Sequence, residues 1–297
     1  MPWMSTGCAM SLERKLTGRP SRLRLPRGII DTQNHIYDAR FAAHPEGPAL
    51  PQGCPNVADY RTMARWLGIE SSVVTVGNAH QTDNASLLAV LAELGQRSRG
   101  VAAFTPEMPE RQINRLIDGG IVGARIMDLP GGAVRFEKLL AIDALTSPRE
   151  LMIAVQFDGN TILEKAPWLH KVRSQYVIDH HAKFFQPVDP KGAEVDELKR
   201  LIDKGNCWFK LAGCYESSTV GAPRYDDVAA VAREISAYAP DRIVWGTNWP
   251  HNAATTTDAY PDDMDLMEVA LSWIDPRHHR KVLVENPAIL YHFPCPR

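Results

Sequence analysis

The chain has 297 residues, 44% of them hydrophobic and 23% charged, an ordinary globular composition that excludes an intrinsically disordered protein. Its net charge of −2 hides an asymmetry: residues 13–27 carry six basic side chains against Glu13 alone, leaving −7 for the remainder and no broad basic face for nucleic acid. No apolar run approaches the roughly 18 residues of a membrane span. The five cysteines are odd in number and lack CxxC spacing, which fits neither a zinc knuckle nor a disulfide framework. The arginine-bearing N-terminus has no apolar signal core, so a cytoplasmic protein is expected.

In chain order, residues 1–27 read as a basic, irregular arm and residues 28–297 as one catalytic domain. Removing residues 1–24 is expected to leave turnover largely intact. Short β-branched or aromatic runs at 28–37, 72–76, 100–104, 122–127, 152–157, 176–179, 207–212 and 242–246 predict eight strands. Segments of helical periodicity separate them: Val195, Leu198, Leu201 and Ile202 share one face, as do Val228, Val231, Ala232 and Ile235. Gly119–Gly120 and Gly205 stand where helices should stop. Strands alternating with helices imply parallel pairing, and eight of them predict a single (β/α)8 TIM barrel. A doubly wound sheet would usually carry a glycine-rich turn after its first strand. Here Tyr37-Asp38-Ala39-Arg40 stands in that place.

Barrel chemistry collects at the C-terminal ends of the strands. Polar residues cluster at seven of the eight: Gln33 and His35; Asn78 and His80; Arg125 and Asp128; Gln156 and Asp158; His180, His181 and Lys183; Tyr215 and Glu216; Thr247, Asn248 and His251. A lone histidine or aspartate at a strand end is as readily a turn or cap residue. Seven ends together point to a site. Gln33 and His35 lie two apart, so both can face the mouth. An HxH pair there would hold a metal ion, but one member is an amide, as are Gln156 on strand 5 and Asn248 on strand 8. Amides are poor ligands for zinc-type ions. Only His35 and His180 remain of that ligand set, so neither a metal nor another cofactor is expected.

Asp31-Thr32-Gln33-Asn34-His35, Asp179-His180-His181, Gly246-Thr247-Asn248-Trp249-Pro250-His251 and the late Glu285-Asn286-Pro287 together resemble the amidohydrolase superfamily. The likeness is to its metal-independent branch of sugar-acid and dicarboxylate lactonases. Gly77–Gln81, the 123–132 segment, Gln156–Asn160 and Trp208-Phe209-Lys210 are similar to its galactarolactone-isomerising members. The resemblance runs from about residue 28 to Phe293. It implies conversion of D-galactaro-1,5-lactone to the 1,4-lactone, in galacturonate catabolism, on a small-molecule aldarolactone and without nucleic-acid or membrane partners. The hydrolytic members usually carry Asp where Asn248 stands. An amide has no usable basicity near neutrality, so Asn248 cannot activate water, which favours isomerisation over hydrolysis.

Such chemistry needs an acid/base, for which His180 is preferred and His35 can share the role or polarise the carbonyl. It also needs a cation for the free carboxylate: Arg125 first, Lys183 second. A salt bridge to Asp128 is the plain alternative for Arg125. Gln33, Asn78, Gln156 and Asn248 would serve a polyhydroxylated substrate, with His251 either reaching it or capping the next helix. Asp158 and Glu216 stay open as bases, and Tyr215 as an oxyanion donor. A lactone hydrolase is the second reading, ahead of a metal-dependent amidohydrolase and a barrel that only binds a sugar acid.

Overall fold

A computed structural model describes residues 12–294; the first eleven residues of the expected arm, Cys8 among them, and residues 295–297 lie outside the described residues. Eight parallel strands pair in sequence order: β1 (Ile29–Asn34), β2 (Ile69–Thr75), β3 (Ser98–Ala102), β4 (Ile121–Met127), β5 (Met152–Gln156), β6 (Tyr176–Ile178), β7 (Cys207–Leu211) and β8 (Ile243–Trp245). Between them run α1 (Val57–Leu67), α2 (Ala85–Leu94), α3 (Glu110–Asp118), α4 (Leu139–Thr146), α5 (Ile162–Leu169), α6 (Ala193–Asp203) and α7 (Asp226–Tyr238); α8 (Asp263–Leu271) and α9 (Asn286–Leu290) follow β8. This is the (β/α)8 barrel that the strand count predicts. The two helical faces read from the sequence are the buried faces of α6 and α7.

The sheet closes through the chain just past β8. Asn34 bridges Trp249, the His35 amide donates to the Trp249 carbonyl (2.8 Å), and the Asn248 amide donates to the Gln33 carbonyl (2.7 Å). Closure requires glycine at position 246, where a Cβ would stand 2.5 Å from the Gln33 nitrogen. Buried Asp31 reinforces the seam by accepting from the Thr247 amide (2.9 Å) and hydroxyl (2.8 Å).

Two boundaries differ from expectation by three residues, and the others by two or fewer. β1 ends at Asn34 rather than near residue 37, because the Tyr37 amide turns to the Pro55 carbonyl. β2 begins at Ile69 rather than 72, since Ile69 and Ser71 pair with Ile29 and Ile30 although Glu70 and two serines mask the strand texture.

Alternation along the strands builds the interior in layers. Ile30, Val73, Val101, Met152, Ala154, Val177, Trp208 and Val244 form an apolar floor, covered from below by Ala288, Leu290, Tyr291 and Phe293 at the chain's end. Residues 12–27 form no helix or strand. They lie against α8, where Lys15 pairs with Asp262 and Arg19 with Asp265 and Glu268. Among the described residues no helix is long and apolar enough to cross a membrane.

Candidate active site

Above the apolar floor the same alternation brings in Thr75, Arg125, Gln156, Asp179 and Lys210. β1 joins through a bulge. One extra residue lies between the pairs Asp31–Ser72 and Asn34–Val74. Asp31 and Asn34, three apart, therefore both meet Tyr60 of α1, while Gln33 turns to the interior and meets Lys210. Lys210 Nζ donates to Gln33 Oε1 (2.8 Å) and stands 2.7 Å from Asp179 Oδ1, with both ionic side chains essentially unexposed. Burial lowers the Lys210 ammonium, but Asp179 and Tyr291 together more than offset it and the net direction is upward.

Arg125 on β4 holds the first wall. Its Nη1 donates to the Val76 carbonyl and to Asn78 Oδ1 (2.8 Å each), and its Nη2 to Gln156 Oε1 (3.3 Å). The salt bridge to Asp128 does not form; that carboxylate takes Arg135 (3.0 Å) and Lys165 (2.7 Å) instead. The Arg125 charge thus meets neutral acceptors only. Next to it, His35 Nδ1 lies 2.9 Å from the Thr75 carbonyl oxygen. A carbonyl only accepts, so Nδ1 carries the hydrogen and Nε2 the lone pair. In this tautomer His35 accepts a proton but cannot polarise a carbonyl. Burial, then Arg125, pushes its pKa down to about 3.

The second wall joins β6, β7 and β8. Asn248 Nδ2 donates to Tyr215 Oη (2.9 Å) and Glu216 Oε1 (2.8 Å), and Asn248 Oδ1 faces His180 Nε2 at 3.1 Å. Lys183 is ion-paired with the other Glu216 oxygen. Burial pushes the Glu216 carboxyl up, but Lys183 and then His180 more than offset it, bringing it down to about 2. Burial, then Lys183, pushes His180 down to about 4. Both candidate histidines are therefore neutral near pH 7, and His180 Nδ1 is buried without a partner.

The backbone here is unusual. His180, His181, Ala182 and Lys183 have φ of 54°, 56°, 62° and 52°, four successive left-handed non-glycine residues. Each costs on the order of 1–2 kcal/mol. The Lys183–Glu216 pair and the His180–Asn248 bond hold this turn, which aims two candidate side chains at one wall. Gly213 makes room for it: a Cβ there would stand 2.7 Å from Asn248 Nδ2 and 3.0 Å from His180 Cδ2.

Of the two readings open for His251, reaching the substrate or serving the next helix, the structure turns it away from the mouth and onto the first residue of α8. Its ring is wholly buried, with Nδ1 on Tyr215 Oη (2.8 Å) and Nε2 on Asp263 Oδ1 (2.9 Å), so neither nitrogen is free. Asp158 caps the turn after β5 by accepting from the Asn160 amide (3.0 Å). Sequence reasoning missed Lys210, Asp179 and Asp263 as parts of the site. For Lys210 a signal existed: two residues after Trp208 on a strand, it must share the interior face.

The residues do not fit a zinc-type ion. The oxygen of Gln33 is taken by Lys210, that of Gln156 by Arg125 and that of Asn248 by His180. Among the described residues no three His, Cys, Asp or Glu side chains converge as ligands.

The amidohydrolase family model matches residues 30–293. D-galactarolactone isomerase of Agrobacterium fabrum (strain C58 / ATCC 33970) is 49% identical over 282 residues, 94% of this chain and 96% of that protein. A 4-sulfomuconolactone hydrolase of Rhizobium radiobacter is 27% identical over 92% of each chain. An apo crystal structure from Agrobacterium tumefaciens superposes with a TM-score of 0.92 at 48% identity, covering 95% of this chain and 99% of that one. With the match spanning every strand of the barrel and the chemistry gathered at the strand ends, the chain belongs to the amidohydrolase family.

Proposed function

We propose that this protein is an aldarolactone isomerase that converts D-galactaro-1,5-lactone to the 1,4-lactone without metal or cofactor, in galacturonate catabolism in the cytoplasm. The observation that carries the reading is Asn248. Both its amide hydrogens and its oxygen are engaged, so the strand-8 position offers no base to activate water. The 49%-identical relative bears the isomerase name, which supports the same reading.

The reaction is an intramolecular acyl transfer. The substrate's free carboxylate docks on Arg125, whose charge has no carboxylate partner of its own. The 4-hydroxyl attacks the C1 carbonyl and gives its proton to His180 Nδ1. His180 Nδ1 is the bare imidazole nitrogen of the second wall, buried and without a hydrogen-bond partner. Arg125 orients Gln156 by holding its oxygen, which leaves the Gln156 amide hydrogens for the tetrahedral oxyanion. Collapse breaks the bond from C1 to the ring oxygen, which takes the proton back from His180. No water enters and no proton is lost. His35 Nε2 and the amides of Gln33 and Asn78 complete the surroundings of the polyhydroxylated chain.

A carbon-13 NMR time course on D-galactaro-1,5-lactone with chelator-dialysed enzyme tests this. The 1,4-lactone should appear before any open diacid and faster than in buffer. Diacid as the first enzyme-dependent product would make the protein a lactone hydrolase, the activity named for its 27%-identical relative.

A further inference from the structure

Each amide at the mouth shows the end that its charged neighbour leaves free. Glu216 takes a hydrogen of Asn248, whose oxygen turns to His180. Arg125 takes the oxygens of Gln156 and Asn78. Gln33 is turned the same way by Lys210. An ammonium only donates, so the atom 2.8 Å from Lys210 Nζ is the amide oxygen. Among the described residues that bond is the only one the Gln33 side chain makes, and Gln33 Nε2 is buried without a partner.

Lys210 and Asp179 are more than core filling. One layer lower on the same strands, Val177 and Trp208 fill the interior with apolar groups. Asp179 and Lys210 lie above them, essentially unexposed and 2.7 Å apart. Burying two charges there gains little, since well-packed apolar side chains of similar volume commonly match or better such a pair in stability. What an apolar pair would not supply is a fixed donor for Gln33 Oε1. The pair also stands close to the chemistry: Lys210 lowers the His180 imidazole and Asp179 raises it, so their charges oppose each other there. We propose that Lys210, with Asp179 as its counter-ion, is a positioning residue that pins the Gln33 amide by its oxygen, so that Gln33 Nε2 meets the substrate as a donor. The proposal rests on the aldarolactone site of the isomerase reading, but not on which product leaves it.

The test is a substitution cycle in the full-length enzyme, read as consumption of D-galactaro-1,5-lactone. Gln33→Met removes the donor and should lower kcat/KM roughly ten- to a hundredfold, as loss of a hydrogen bond to a charged group does. Lys210→Met with Asp179→Asn removes the brace, strands no charge and frees the amide to turn; it should cost a similar factor. All three substitutions together should cost no more than Gln33→Met alone, because the brace acts through that amide. Losses that multiply overturn the proposal, as does a Gln33→Met enzyme with native kcat/KM. A second readout needs no turnover. In nitrogen-15-labelled native enzyme, the Gln33 side-chain amide signals, assigned by their loss in Gln33→Met, should move when galactarate, the open diacid, is added to saturation. Unmoved Gln33 signals overturn the proposal. This titration and Gln33→Met decide by themselves should the paired variant fail to fold. A cycle that closes as expected with open diacid as the first product would keep the brace and reject the isomerase reading.

Discussion

Arg125 and Lys183 are both buried cations at the same end of the barrel, yet their partners make them different tools. Lys183 closes on Glu216, and that pair spends its charge on a wall built around a strained turn. Arg125 is held by a backbone carbonyl and two amide oxygens, which orient the guanidinium without neutralising it. A cation becomes an anion site when its own scaffold is neutral, and a structural brace when its scaffold is anionic. Residue type alone does not separate the two. Each wall also depresses its own imidazole after burial: Arg125 acts on His35 and Lys183 on His180.

Acid tests both walls together and should give the largest effect. His35, His180 and neighbouring His181 are held down to about 3, 4 and 3, against an ordinary value of 6.5. Their stabilisation is fully present above 6.5. Below it the unfolded chain takes up protons that the folded chain refuses, so stability is lost as pH falls, until the folded values are reached. Each ring contributes about 1.4 kcal/mol per pH unit, so the three together approach about 4 kcal/mol per unit below pH 6. Glu216, held down to about 2, adds its loss only as pH falls below its ordinary 4.5. Urea unfolding midpoints between pH 7 and 4.5 measure this, and a flat profile would contradict the buried neutral imidazoles.

Single substitutions then separate the walls. Lys183→Met strands the Glu216 carboxylate and should cost about 3–5 kcal/mol of unfolding free energy, read by urea denaturation. Lys183→Met with Glu216→Gln should recover much of that, because no unpaired charge remains. Arg125→Met removes an anion site rather than a brace. It should lower kcat/KM by roughly 10²–10³, the worth of about two charge-assisted hydrogen bonds, while leaving unfolding far less changed. Arg125→Lys should restore only part of the activity, since a point charge lacks the fork. Equal damage to stability in both variants would erase the distinction.

The eight strands were legible because β-branched runs in a parallel barrel are buried on both faces and stand out against the amphipathic helices. His35, Arg125, Gln156, His180 and Asn248 could be gathered at one end because strand polarity in this architecture leaves no other place for them. Partner choice was not legible. The Lys183–Glu216 pair spans 33 positions, and the His251–Asp263 contact reaches into a helix that sequence alone marks only by acidic residues suited to its start. The bulge between Asp31 and Asn34 also escaped the two-residue alternation, because a single inserted residue leaves no compositional trace.

The floor of the barrel is made by the last stretch of chain, where Tyr291 and Phe293 cover the apolar layer, and the closing seam joins Asn34 to Trp249. During synthesis, β1 must wait for more than 200 further residues before its second edge finds a partner. Its first edge pairs with β2 after about 40. A growing chain therefore carries an open sheet edge until Trp249 has been made and an uncovered apolar layer until Phe293 has, the condition under which strands find wrong neighbours. In such a barrel the residues that cover the floor, made after all eight strands, decide when the folding intermediate stops being a target for chaperones.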